Sequence, residues 1–235
     1  MERADCFRRR VWENTRSLQA LTDRPLIATK GLAHMRPLYL PDTVMGDDDA
    51  MVEEFYRYVY HRDGNGWIFG PVVSTGPDSD VYAALYYSGE VRNGGHQQFI
   101  LNSDDRRDIL EAALSGLAEI GANPQHAVLS EMKAWTAANP HHVDMIMRHE
   151  MPSHYRTGRP TALDALDERF FAEQDAHSVE ARTAAWIRAY PNLQVIPEAE
   201  FMALLNDGTL PAEARFDTPG KIRLWDKLRA GIFGR

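Results

Sequence analysis

The chain has one cysteine, Cys6, in 235 residues. A single thiol closes no internal disulfide and supplies no multi-cysteine metal site. No apolar run approaches the roughly 20 residues that a membrane-spanning helix needs, so no membrane segment is expected. Arg8-Arg9-Arg10 is not followed by an apolar stretch, so no secretory signal is expected either. G-x-S-x-G, P-loop and G-x-G-x-x-G patterns are all missing, which removes the sequence signatures of a nucleophile elbow and of nucleotide binding. The sequence therefore points to a cytoplasmic protein with no cofactor, no metal and no assigned catalytic residue.

What is plentiful is negative charge, and it is unevenly placed. From Asp42 to Asp217 there are 29 acidic and 13 basic residues, a net of −16. The two ends together carry 13 basic and 5 acidic residues, a net of +8. Lys221, Arg223, Lys227 and Arg229 lie in the basic C-terminal end. Phosphate binding needs a basic patch, so direct DNA binding by the central segment is disfavoured. An acidic surface serves solubility in any protein. The sharper reading is a surface for a basic partner.

The chain punctuates into helices. Asp5 to Leu21 carries an imperfect apolar stripe and reads as a first helix. Pro25, Pro37 and Pro41 mark an irregular segment. Asp47-Asp48-Asp49 precedes Met51, Val52, Phe55, Tyr56 and Val59, which is helical spacing with acids at the favourable end of the dipole. Asp63 to Gly66 reads as a turn. Trp67 to Phe69 and Val72-Val73 read as a short extended piece. After Pro77 the pattern is helical. Asp78 or Ser79 can cap the run from Val81 to Ser88. Ile109, Leu110, Ala113, Leu114, Leu117 and Ile120 form one apolar face, closed by Gly121. Asn123-Pro124 reads as a cap followed by proline at the first helical position. Further helices fit Val143 to Arg148, Thr161 to Gln174, Ser178 to Tyr190, Glu198 to Leu205 and Ile222 to Leu228. The expected fold is mainly α: a multi-helix single domain with an irregular N-terminal segment and at most a minor β element. Residues 1–77 would pack on a helical core of residues 78–193, and 194–235 would form a helical extension.

One segment stands apart. Glu90-Val91-Arg92-Asn93-Gly94-Gly95-His96-Gln97-Gln98-Phe99 continues through Asn102-Ser103 and sets two adjacent glycines between apolar runs. Such a pair is needed where the backbone takes positive φ or passes too close to a neighbour for a Cβ. The local reading is helix, tight joint, short helix, with Asn93 ending the first helix. Asn93, Gln98 and Asn102 bring amides to the joint. Their structural role would be to satisfy backbone groups freed there. Their functional role would be a small polar ligand pocket.

The pattern E-V-x-N-G-G-x-x-Q-F-x-x-N-S, followed by an amphipathic helix ending Glu119-Ile120-Gly121-Ala122, resembles the signature of a bacterial DNA-mimic protein family. Leu163-Asp164-Ala165-Leu166-Asp167-Glu168-Arg169-Phe170-Phe171 resembles that family's later L-D-x-x-F helix, with Asp167 on its recurrent Asp. The resemblance covers roughly residues 81–193. His96 departs from it, since the family has an aromatic there. The resemblance implies a helical, non-enzymatic protein whose carboxylates stand in for phosphates on a basic or DNA-binding protein. Glu111, Glu119, Asp164, Glu168, Asp175 and Glu180 lie on expected helices and form the candidate acidic partner surface. Two alternatives remain: a ligand binder or enzyme using the Asn93–Asn102 amides, and a dedicated immunity-type partner of one basic protein.

Other chemistry reads as structural. Zinc needs three or four converging ligands. His149 and His154 are spaced five apart, and Pro152 breaks the helix that would align them. With His126, His141 and His142 they read as surface or helix-end histidines. The pairs Asp164/Asp167 and Asp167/Glu168 read as a solvated helix face, Asp167 excepted.

Overall fold

The computed structural model describes residues 35–62, 76–103, 107–148, 161–176 and 178–206. The expected helices at Asp5–Leu21 and Ile222–Leu228, the turn at Asp63–Gly66 and the extended piece at Trp67–Val73 lie outside the described residues. Eight α-helices and one pair of short strands make up the rest, so the protein is mainly α-helical.

The first element corrects an expectation. Leu38–Pro41 is not irregular but a strand, β1, paired in parallel with β2 (Leu193–Ile196). Leu38 and Leu40 are fully buried, which gives the strand its inner face. Pro41 stands at the strand's end, where a missing N–H costs least. α1 (Asp48–Arg62) follows, and Asp47 Oδ1 accepts from Ala50 N at 3.0 Å as its cap.

α2 (Pro77–Ser103) is the centre of the fold. Val81 to Val91 is buried on every side, as a helix apolar all round must be. α3 (Arg107–Glu119) returns antiparallel along it, so that Ser115 Oγ reaches Asp80 Oδ2 at 2.7 Å. Gly121, at φ 69°, ends α3 as the sequence indicates. Ala122 N bonds Leu117 O and Gly121 N bonds Ala118 O, the paired closure of a helix ended by left-handed glycine. α4 (Asn123–Ala138) has Ala122 at its N-cap position, one residue before the expected Asn123, and no side-chain capping bond there. α5 (Pro140–Met147), α6 (Thr161–Ala176), α7 (Val179–Arg188) and α8 (Glu198–Asn206) complete the chain. Ser178 Oγ caps α7 by accepting from Ala181 N at 3.0 Å.

The start of α2 is tied down by ions. Asp78 is 1% exposed and pairs with both Arg36 and Arg62. Ser79 Oγ accepts from Arg36 Nη2 at 3.1 Å. These contacts join α2 to the segment before β1 and to the end of α1. Aromatic packing completes the join. Tyr56 of α1 stacks on Tyr82 of α2 at 4.4 Å, and Phe55 meets Trp186 of α7 edge-on at 5.9 Å.

His61 makes this region sensitive to acid. Burial lowers its pKa from 6.5 to about 4, and the charge of Arg57 adds to the effect. The folded chain therefore favours the neutral ring more than the unfolded chain does. That contribution is complete above pH 6.5 and is lost as pH falls towards 4. His61→Phe should accordingly lose fewer degrees of melting temperature across this interval than the parent, by a few degrees at roughly 2–4 °C per kcal/mol. Parallel pH curves for the two proteins would remove this role.

Candidate functional site

The two glycines break α2 as the sequence implies, each for a different reason. Gly95 has φ 75° and ψ −176°, a region that is essentially glycine-only. Gly94 has φ −162°, which any residue adopts, but a Cβ there would lie 2.1 Å from Gln98 Oε1 and 2.9 Å from Gln98 Cβ. The joint therefore needs one glycine for its backbone and one for the side chain folded over it.

The amides differ from expectation. Gln98 Nε2 donates to Glu90 Oε2 at 2.8 Å, and Asn102 Nδ2 donates to the same oxygen at 2.6 Å. Glu90 is 1% exposed. Both amides thus reach back across the joint to a buried carboxylate, and not to freed backbone groups. A buried charge needs such partners, because its desolvation is otherwise uncompensated. Asn93 is exposed and stands apart from this cluster. Its neighbours bury the glycines inward, which turns the residue before them to solvent.

The backbone group at the joint is satisfied from α6. Asp167 Oδ1 accepts from His96 N at 2.8 Å and meets His96 Nδ1 at 2.5 Å. The His96 Nε2 atom meets the Tyr87 hydroxyl at 2.9 Å. A neutral ring carrying its proton on Nδ1 satisfies the whole chain: Tyr87 O–H donates to Nε2, and Nδ1–H donates to the carboxylate. Burial, followed by the nearby Asp167 charge, pushes the Tyr87 hydroxyl well above its ordinary pKa and keeps it protonated. The His96 ring lies edge-on to Phe170 at 6.3 Å and tilted on Tyr87 at 5.7 Å. It fills an aromatic slot while adding two polar contacts.

The acidic candidates separate into two groups. Glu180 is buried and belongs to the interior. Its Oε1 accepts from Ser88 Oγ at 3.0 Å and Arg92 Nη1 at 3.2 Å, and its Oε2 from Gln174 Nε2 at 2.5 Å and Ser178 Oγ at 3.1 Å. This carboxylate ties α2 to α6 and α7, so it presents no surface charge. Glu111, Glu119 and Glu168 are exposed, and Asp164 is half-buried. The Asp175 side chain lies outside the described ones.

Two acids that the sequence did not single out join the outer group. Asp108, Glu111, Ser115 and Glu119 share one outer stripe of α3 by helical spacing. Asp80 joins that stripe through its bond to Ser115. Burial raises the Asp80 pKa, and the charges of Asp78 and Glu119 add to this. Not all of this surface is acidic. Glu111 pairs with Lys133, and Glu131 of α4 pairs with Arg169 of α6, whose Nη2 lies 2.8 Å from Glu131 Oε1. Glu119 Oε1 also accepts from Trp186 Nε1 at 3.0 Å.

His126 is half-buried on α4, while His141 and His142 are exposed on α5. His149 and His154 lie outside the described residues. Among the described residues no three His, Cys, Asp or Glu side chains are grouped to hold a metal ion. No described helix is long and apolar enough to cross a membrane.

The arrangement is that of a helical protein whose interior is fastened by buried carboxylates and whose outer helices carry exposed ones. Residues 75–190 match the family model described as DMP19-like protein, DMP19 being DNA mimic protein 19. This segment, roughly half the chain, belongs to that family and holds every residue of the joint and of the α3 stripe. No curated protein and no solved structure matches the chain.

Proposed function

We propose that this protein is a cytoplasmic, non-enzymatic binding protein whose exposed carboxylates take the place of DNA phosphates on a basic, DNA-binding protein. The observation that carries the reading is the DMP19-like match over residues 75–190. The net charge of −16 between Asp42 and Asp217 supports it. So does the α3 stripe. From Asp108 to Glu119 the helix rises about 16 Å at 1.5 Å per residue. Over that length one DNA strand presents about five phosphates. Asp108, Glu111, Asp80 and Glu119 approach that density, and Asp164 and Glu168 add charge on α6. Glu180 is set aside, because a buried carboxylate meets no partner.

The test is capture from cell extract at low salt, followed by competition with duplex DNA. A DNA-binding protein that DNA displaces supports mimicry. A basic protein that DNA fails to displace rejects mimicry and favours a dedicated partner. Recovery of no basic protein rejects the acidic surface itself. Neutralising Glu111, Glu119, Asp164 and Glu168 together should slow association with the captured protein about tenfold, because such charges act mainly on encounter. Melting temperature should hardly change, since exposed carboxylates are each worth about 0–1 kcal/mol.

A further inference from the structure

Among the described side chains every lysine and arginine but one is ion-paired with a carboxylate. The exception is Arg182 of α7. Its residue is half-buried, and its Nε is shut off from solvent with no hydrogen-bond acceptor. Arg182 stands where the α3 stripe ends. A Cβ on Gly121 would lie 3.6 Å from Arg182 Nη1, and Gly121 follows Glu119 by two residues. Trp186, one turn beyond Arg182 on α7, donates from Nε1 to Glu119 Oε1 at 3.0 Å. A lone cation therefore closes a row of acids. We propose that Arg182 pairs with a carboxylate set among the basic residues of the protein that the α3 stripe binds. This contact rests on the mimicry reading for its partner, and it narrows that partner.

The donor selects the acceptor. A guanidinium is a planar fork that meets a carboxylate or a phosphate with two parallel N–H···O bonds. The setting separates those two acceptors. Nucleic acid brings phosphates in a row, and the exposed carboxylates of α3 repel it. A carboxylate carried on a basic surface is delivered by the same carboxylates. A buried donor without an acceptor is costly, so the free chain gains by satisfying Nε. Gly121 has no side chain, which leaves the guanidinium room to turn outward and offer Nε with one Nη side-on. DNA-reading surfaces carry carboxylates where they read cytosine, whose N4 amino group donates to Asp or Glu in the major groove. The acids of α3 thus take the place of phosphates, and Arg182 takes that of a base-edge amino group. Such a partner reads base sequence as well as phosphate.

Two lysine-rich peptides, identical except that a terminal glutamate in one is glutamine in the other, test the pairing without the cellular partner. Fluorescence anisotropy at low salt follows their binding to the full chain. Arg182→Gln removes a positive charge from an acidic surface, so charge alone predicts tighter binding of both peptides. Tighter binding is expected for the glutamine peptide only. The glutamate peptide should bind Arg182→Gln about threefold more weakly than it binds the parent. Arg182→Lys keeps the charge without the fork and should fall between the two proteins. Both peptides responding alike to Arg182→Gln and to Arg182→Lys would overturn the pairing. A DNA-displaceable protein captured from extract supplies the second arm. It should leave Arg182→Gln about fivefold faster than it leaves the parent, because a lost charge pair acts on dissociation. Unchanged release would overturn the contact and leave mimicry standing. Capture of no basic protein would reject mimicry, and the peptides would still decide whether Arg182 takes a carboxylate.

Discussion

Gly116→Ala should lower the melting temperature by roughly 6–12 °C, against the local preference of the helix that carries it. In an isolated helix, alanine would be favoured over glycine by about 1 kcal/mol. Here a Cβ on Gly116 would lie 1.9 Å from Asp80 O, 2.4 Å from Asp80 C and 2.8 Å from Val81 N. All three are backbone atoms in the first turns of α2, so no side-chain rotation relieves the overlap. Contact between heavy atoms is comfortable at about 3.5–4.0 Å. α3 must therefore move away from α2 by more than an ångström. That movement loosens Ile109, Ala113 and Leu117, which are fully buried, and stretches the 2.7 Å bond from Ser115 to Asp80. Overpacking of a tight core typically costs about 1–3 kcal/mol, and a backbone collision belongs at or beyond the top of that range. Chains of this size lose about 2–4 °C per kcal/mol. Thermal or urea unfolding of the purified variant measures the effect. A melting temperature equal to or above that of the parent would mean that α2 and α3 do not approach this closely.

That glycine also shows where the sequence stopped being legible. Local pattern sufficed for α3 itself, because its apolar positions recur at helical spacing and Gly121 closes it. It sufficed for the helix start at Asp47-Asp48-Asp49 and for the break at Gly94-Gly95. It did not reveal why Gly116 sits among good helix formers, since the reason is the Asp80 backbone on another helix. The same limit hid the β pair. Each strand is four residues long, and Leu38 meets a partner about 150 residues away. Among the polar residues, Asn93 and Asn102 look alike on the page, yet only Asn102 turns inward to Glu90. Glu180 reads as an ordinary acid in a first helical turn. Its burial depends on Ser88 and Arg92, residues that no local period connects to it. A carboxylate's surroundings are set by whichever elements pack against it, and the sequence states those only after the fold is known.

Asp167→Ala should be the other large loss, about 2–5 kcal/mol, and the share that falls on His96 can be divided between its backbone and its ring. The carboxylate accepts from the backbone N–H and the ring of His96, a residue with no exposed surface. Each buried donor left without an acceptor costs about 1–3 kcal/mol. Asp167→Asn can place its one oxygen where Oδ1 stands and accept from both His96 donors, so it should recover most of the loss and forgo only the charge. His96→Phe retains a ring beside Tyr87 and Phe170 and removes the ring donor. It also takes away the Nε2 atom that the Tyr87 hydroxyl meets, and should be destabilising by a smaller amount. In the His96→Phe background, Asp167→Ala strands only the backbone N–H. The two substitutions should therefore couple by about 1–2 kcal/mol in a double-mutant cycle. The remaining cost belongs to the peptide at the joint. A cycle with no coupling would mean that carboxylate and ring do not act together.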